Sequence, residues 1–356
     1  MSNRLEVHLK GSPLSADLER VLASVVVKDA LGRLDSMEAT FIIGESEFST
    51  LATKLKVHGE KMMVKMYADG TESHCVYGDV ISITWTRSRE GQNIVKVTGL
   101  DYFHRLKKPR ASSKAGDRRF RGKKASEIVK AVALDWKLGT GDIQSTNAAI
   151  KELEWHGTDA ALVKFLAEQN NYIARVNAPN GSPSLVFSRK SSYSGAKTVK
   201  VDFNTDIFEM DVTHSLDDVV TKVSVHGQDY VAASAGVKTD ASTLDKHTGS
   251  LTGASIAKSK FGEIPVLIDT NEGLNSTVSE TKDLATGILT RHADTFVRGT
   301  VLTRLLPGGA SGGKLTIDGA GWPLDGTFII DEVVHIQDRD GKRSQFTIIS
   351  DSILPS

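Results

Sequence analysis

Few residues of this sequence are placed to do chemistry, and their neighbours decide what they can do. Gly309-Ala310-Ser311-Gly312-Gly313 carries the G-x-S-x-G string of a nucleophile elbow. An elbow needs a strand before it and a helix after it, so that the serine is lifted over a sheet edge toward a histidine. Here Pro307-Gly308 precede it and the strand-like Lys314-Leu315-Thr316-Ile317 follows, so the segment reads as a hairpin loop. Gly308 to Lys314 also approaches a phosphate-binding loop, but Leu315 stands where a hydroxyl would reach magnesium. No helix N-terminus follows to hold the phosphate. The ten histidines are scattered, without the H-x-x-x-H spacing that puts two imidazoles on one helical face. The single cysteine, Cys75, beside His74, would need distant partners to make a zinc site. Asp217-Asp218 and Asp338/Asp340 fall in turn-like contexts where carboxylates cap and solvate. No catalytic, cofactor-binding or metal-ligating set is expected, and the chain is not expected to be an enzyme.

Charge offers a sharper feature. Between Arg105 and Lys124 there are ten Lys or Arg residues against one acid, Asp117. Three readings stay open: a solvated loop, a nucleic-acid arm, or a surface that pairs with an acidic protein segment. Phe120 is the only aromatic in the stretch, which disfavours base stacking. The chain contains an acidic match, since Val201 to Asp218 carries Asp202, Asp206, Glu209, Asp211, Asp217 and Asp218 with no Lys or Arg. Arg105, Arg118, Arg119 and Arg121 facing Asp206 and Asp211 of a neighbouring subunit are therefore the expected interface residues. Over the whole chain 44 basic residues balance 44 acidic ones, which argues against wholesale nucleic-acid or anionic-membrane binding.

The elements that would position these residues follow from periodicity. At 356 residues the chain has room for roughly two to three domains. No apolar run of about 18 residues appears and the start lacks the apolar core of a signal peptide, so no membrane span is expected. The single cysteine forbids an internal disulfide framework, so assembly in a reducing cytoplasm is expected. Leu5 to Asp101 reads as short Val/Ile/Thr-rich strands, with Asp69-Gly70 and Glu90-Gly91 at hairpin positions. Two helices are expected at Ala125-Leu138, with Ile128, Val132 and Trp136 on one stripe, and at Thr158-Asn170, with Thr158 as N-cap. Strands around Pro179-Asn180-Gly181 complete an α+β middle region, and strands return from Val201. Residues 231–260 are rich in Ala, Ser, Thr and Gly and read as a long loop. Thr277-x-x-Glu280 has capping-box spacing ahead of a helix to about residue 297, with Leu284, Ile288, His292 and Phe296 on one stripe; His292 reads as a packed side chain.

One pattern occurs twice. Val95, Val97, Gly99, Asp101 and Tyr102 share V-x-V-x-G-x-D-Y with Val223, Val225, Gly227, Asp229 and Tyr230, each at the end of an alternating run. The match points to internal duplication of a strand unit.

Several segments resemble one family. Val95-Asp101 running into His104-Arg105-Leu106, Trp155-His156-Gly157-Thr158-Asp159-Ala160-Ala161-Leu162 before Phe165-Leu166, Val220-Gly227, the helix around Glu280-Thr295 and Leu324-Ile330 before Val334-His335 are similar to the late control protein D family of contractile phage tails. That family includes the hub portion of type VI secretion VgrG spikes. The resemblance spans nearly the whole chain and implies a mainly β, α+β architecture: a first β-barrel hub domain over 1–102, an α+β middle domain with the basic arm over 103–200, and a second β-barrel hub domain over 201–356. It implies a homotrimer in a phage tail, bacteriocin or injection particle, adapting a six-fold inner tube to a three-fold spike and contacting other baseplate proteins. VgrG chains continue into a spike where this one stops at Pro355-Ser356, so the spike is expected as a separate chain. The competing class is a nucleic-acid-binding protein using the 105–124 arm. A hydrolase is a third reading, with no segment of domain size left to host it.

Overall fold

The computed structural model describes residues 3–354 except 88–91, 109–117, 148, 179–180, 190–192, 194–196, 228–236, 242–250 and 270–277. Alternation builds its first part. Strands β1 (Arg4–Leu9) and β2 (Ser12–Pro13), helix α1 (Ala16–Val21), β3 (Leu22–Ala30), β4 (Ser36–Gly44), helix α2 (Phe48–Lys54), β5 (Lys61–Ala68), β6 (Thr71–Arg87) and β7 (Gln92–Asp101) follow in order. In β4, Met37, Ala39, Phe41 and Ile43 are fully buried while the residues between them are not, because successive side chains point to opposite faces. β1, β3, β4, β5, β6 and β7 all send their buried side chains to a single core. Six strands sharing one interior make a barrel-like unit. The Asp69-Gly70 hairpin forms as expected, with both residues at positive φ and Ala68 opposite Thr71. Glu90-Gly91 lies outside the described residues.

The middle part is α+β: β8 (Arg118–Lys124), α3 (Ala125–Asp135), β9 (Ala149–Trp155), α4 (Asp159–Gln169), β10 (Tyr172–Asn177) and β11 (Ser184–Arg189). Ile128, Val129, Val132 and Ala133 of α3 and Leu162, Val163 and Leu166 of α4 share a second core. Thr158 caps α4 by accepting the Ala161 N–H at 3.2 Å. The charged stretch differs from a solvated loop where it is described: Arg118–Lys124 is a strand paired antiparallel with β9. Pro179 and Asn180 lie outside the described residues.

The last part holds β12 (Thr198–Asp202), α5 (Phe203–Asp206), β13 (Ile207–His214), β14 (Lys222–Gly227), β15 (Val237–Ala241), β16 (Leu251–Thr252), α6 (Gly253–Phe261), β17 (Pro265–Asp269), α7 (Val278–Ala293), β18 (Val297–Arg304), β19 (Lys314–Asp318), β20 (Gly326–Asp338), β21 (Gly341–Ser350) and β22 (Ser352–Ile353). The long loop expected over 231–260 is corrected: its described residues form β15, β16 and α6. The α6 sequence, Gly-Ala-Ser-Ile-Ala-Lys-Ser-Lys-Phe, hides its packing because small residues make it; a Cβ on Gly253 would stand 2.5 Å from the Phe296 ring. Thr277, the expected cap, lies outside the described residues. Leu284 and Ile288 face the core as expected, while the helix ends at Ala293.

The two β parts are not separate sheets. One sheet runs β13-β18-β21-β20-β3-β4-β7-β6-β5-β1-β2, with β12 joined through β19 to β20. The seam is β20 against β3, from Glu332 opposite Ala30 to Gln337 opposite Val25.

Candidate functional site

The strand order contains a repeat that runs in the same direction along the sheet. The quartet β3-β4-β7-β6 and the quartet β13-β18-β21-β20 have the same chain order of strands. Bulges match as well. The β3/β4 pair shifts between Leu22 and Ser24, and β13/β18 between Ile207 and Glu209. The β6/β7 pair shifts between Val80 and Ser82, and β20/β21 between Ile330 and Glu332. Neither β4/β7 nor β18/β21 shifts. A short helix precedes the first strand of each quartet (α1, α5), and a strand that hairpins onto the fourth, β6 or β20, precedes it in each (β5, β19). Bulges are fixed features of a sheet, so their coincidence marks the two quartets as copies.

This repeat leaves two edges open. Among the described residues β13 pairs with β18 on one side only, and residues 82–87 of β6 pair with β7 only. Unpaired N–H and C=O rows on such edges can add a further strand. Both edges carry apolar side chains: Trp85 is 40% exposed, Ile81 44% and Phe208 65%. Trp85 packs its ring edge-on against Phe48 at 6.0 Å, and Met210 and Val212 lean on the core of the second quartet.

The V-x-V-x-G-x-D-Y motif does not mark the copies. Its first instance is β7, inside the large sheet; its second is β14, in a three-stranded sheet between antiparallel β15 and parallel β17. Val95, Val97, Val223 and Val225 are all fully buried, which is what alternation alone provides. Gly99 is there for space: a Cβ would meet Met62 Sδ at 3.0 Å and Met37 Cε at 3.2 Å. Asp101 accepts the Phe103 N–H at 2.9 Å and the Asp35 N–H at 3.0 Å, and Tyr102 packs on Tyr77. Gly227 ends β14; Asp229 and Tyr230 lie outside the described residues.

The arginines expected at an interface have carboxylates in their own chain. Arg105 donates from Nε and Nη2 to Asp79 at 2.7 and 2.8 Å, beside His104 at 2.9 Å. Burial works to raise the Asp79 carboxyl, but these hydrogen bonds outweigh it and hold it below the usual range. Arg118, only 9% exposed in its side chain, grips Asp159 at 2.6 and 2.8 Å, and Trp136 donates to the same carboxylate at 2.7 Å. Arg119 pairs with Glu154 and Arg121 with Glu152 across the β8/β9 ladder. Asp206 pairs with Arg304 at 2.7 Å and accepts the Asp202 N–H at 3.0 Å. None of these contacts joins 118–124 to 201–218. Asp211 alone of the expected set sits on an open edge of the large sheet, in β13 opposite Thr300 of β18.

Ser311 is no nucleophile. It is fully buried, its hydroxyl donating to Asp29 and accepting from Arg175, and its N–H donating to Asp29 at 3.1 Å. His74 reaches Asp29 at 3.3 Å, not the serine. A buried histidine nearby, His335, donates from Nε2 to the Gly309 carbonyl at 2.9 Å and accepts from Ser344 at Nδ1, 2.8 Å. Burial lowers its pKa to about 4. It therefore stays neutral and pins the glycine-rich loop to the sheet. No group of three or more metal-ligating side chains converges among the described residues. Nor is any described helix long and apolar enough to cross a membrane.

No known sequence-family profile matches the chain, and no curated protein sequence matches it. Solved structures do. A 43 kDa tail protein of prophage MuSo2 from Shewanella oneidensis is similar with a TM-score of 0.70 and 12% identity, over 99% of this chain and 100% of that one. A tail protein from Neisseria meningitidis gives 0.68 at 14% identity over 100% of both chains. An Escherichia coli component of the type VI secretion system, described as similar to T4 bacteriophage tail proteins, gives 0.59 at 10% identity over 99% of this chain and 77% of that one. The chain thus has the mainly β fold shared by phage tail proteins and type VI secretion components.

Proposed function

We propose that this protein is a structural hub of a contractile tail or injection particle, a homotrimer in which each chain supplies two quasi-equivalent β units to a six-unit ring. The observation that carries the reading is the repeated quartet with its open ends. If the seam within the chain is one instance of a repeating joint, the same joint recurs between chains: residues 82–87 of β6 pair antiparallel with 210–215 of β13 in a neighbouring copy. Transfer of the β20/β3 register across the matching bulges sets the partners. His335 opposite Val27 becomes Trp85 opposite Val212, Val334 opposite Lys28 becomes Thr84 opposite Thr213, and Ile336 opposite Val26 becomes Thr86 opposite Asp211. Such a head-to-tail contact makes a ring when its rotation closes. Three chains with two units each match a six-fold inner tube on one side and a three-fold spike on the other. Division at 1–102, 103–200 and 201–356 into hub, middle and hub segments is supported by a main core in each, with Leu305 crossing into the first and Tyr77 and Tyr102 into the second. The role is non-enzymatic, with the inner tube, a spike and other baseplate proteins as partners and assembly in the bacterial cytoplasm.

Cross-linking tests the joint. In a Cys75→Ser background, Thr84→Cys with Thr213→Cys puts two thiols directly opposite, with Cβ atoms about 4.5–5.5 Å apart. Oxidation is expected to give covalent trimers. Absence of intermolecular disulfides at concentrations where the protein self-associates would remove this joint.

A further inference from the structure

Where the middle part meets both β parts, one guanidinium is enclosed by three carboxylates. Arg175 of β10, 3% exposed, donates from Nη2 to Asp29 of β3 at 2.9 Å and to Asp35, just before β4, at 2.8 Å. From Nη1 it donates to the Ser311 hydroxyl of the loop ahead of β19. Asp101, at the end of β7, accepts the Asp35 N–H, which couples the third carboxylate to the second. All three carboxylates are buried, Asp29 fully and the others to within 3%. If all ionise, two negative charges remain uncompensated by Arg175 in a region with little water. Among the described residues Arg175 Nε has no hydrogen-bond partner.

A cavity of about 590 Å³ reaches this cluster, lined by Asp35, Asp101, His74, Arg175, Tyr193 and Lys197. It gives protons a path to the carboxylates. Other charged or titratable groups face the cluster from each packed element: Glu72, His74, Cys75 and Tyr77 from β6, Asp142 from the segment after α3, and His335 from β20. Lys197 is engaged at the rim, donating to the Ser73 carbonyl at 2.8 Å. Tyr193 accepts from Asn177 at 2.6 Å. None adds a second guanidinium or ammonium in contact with Asp35 or Asp101.

We propose that this junction is a proton-dependent clasp: Arg175 holds the middle part against the two β parts firmly while the Asp35/Asp101 pair carries protons, and the hold loosens as they leave. The electrostatics agree in sign. Burial raises Asp101 to about 6 and pushes Asp35 well above the usual carboxylate range, with Arg175 opposing both, whereas Asp29 is held low by Arg175, His74 and Ser311 against its burial. A carboxyl whose pKa is raised in the closed form contributes stability that is complete below about 4 and is lost as pH rises through about 6. The clasp is independent of the ring reading, because it acts within one chain.

Hydrogen exchange of the intact protein tests it, with intrinsic exchange rates divided out. Protection of amides in β10 and β11 is expected to fall at least tenfold per pH unit between pH 4 and 6, the slope of one proton released on opening, and more steeply where Asp35 and Asp101 each release one. Asp101→Asn and Asp35→Asn should each make that dependence shallower, and Asp35→Asn should also flatten the part above pH 6. Protection that changes by less than about threefold from pH 4 to 7 in the unaltered protein would overturn the proposal. So would slopes as steep as the unaltered protein's in both Asn variants. A shallower slope in either variant that remains folded sustains it.

Discussion

Replacing Trp85 by alanine should disable assembly more than folding. Its ring is 40% exposed on the open edge of β6. A tryptophan side chain offers about 250 Å², so about 100 Å² is left to bury at the joint. At about 25 cal/mol per Å² that area contributes about 2.5 kcal/mol to each contact. A closed ring has three such joints, so the trimer loses about 7 kcal/mol, or about five orders of magnitude in its association constant. Because three monomers combine, the midpoint concentration for assembly scales as the square root of that factor and rises a few hundredfold. The assay is sedimentation equilibrium or mass photometry across a dilution series, with near-ultraviolet circular dichroism to confirm that the Phe48 side of the core stays packed. A Trp85→Ala protein that remains folded and assembles at the unaltered midpoint, within about threefold, would refute the β6/β13 joint.

Other consequences follow from single side chains. His335 titrates at about 4 in the folded chain against 6.5 when exposed, so it contributes stability above 6.5 that is lost as pH falls to about 4, on the order of 3 kcal/mol. Asp101 acts in the opposite sense over nearly the same window, so urea denaturation of a folded His335→Gln variant should show stability falling from pH 4 to 6 relative to the unaltered protein, and Asp101→Asn should show it rising. Arg118→Met strands the buried Asp159 carboxylate and should cost about 3–5 kcal/mol in denaturant unfolding. Arg121→Glu, on an exposed pair, should stay within about 1 kcal/mol and leave self-association and its salt dependence unchanged. Gly253→Ala, which drives a Cβ into the Phe296 ring, should cost more than Gly99→Ala, where the opposing atoms are flexible methionine ends.

Much of the fold was legible because alternation is a local signal. The strands of the first unit, the Asp69-Gly70 turn and the Thr158 cap each depend on residues within a few positions. The α6 helix was hidden because its packing face is glycine and alanine, and only Phe296, far along the chain, gives those residues a reason to be small. The true duplication was also hidden. It resides in bulge positions and strand order, not in residue identity: β7 corresponds to β21, where Phe346 and Ile348 keep the buried alternation but the Gly-x-Asp-Tyr ending is absent. The V-x-V of the motif recurs in β14 because any buried strand wants alternate valines. The 105–124 charge run looked unpaired for a similar reason. The partners of its described arginines, Asp79, Asp135, Glu152, Glu154 and Asp159, are distributed over β6, α3, β9 and α4, and none lies in the acidic 201–218 stretch that the sequence offers as a match. Arg175 is the extreme case. Nothing near it in sequence announces that Asp29, Asp35 and Ser311, more than 130 positions away, meet around it.

The most direct test of the hub reading is the mass of the purified protein in solution by native mass spectrometry, alone and with a candidate spike protein from the same source. The account predicts a species of about 115 kDa, three times 38.4 kDa, either alone or as the stoichiometric partner of the spike. A protein that stays at 38.4 kDa under both conditions, with its fold intact, would contradict it.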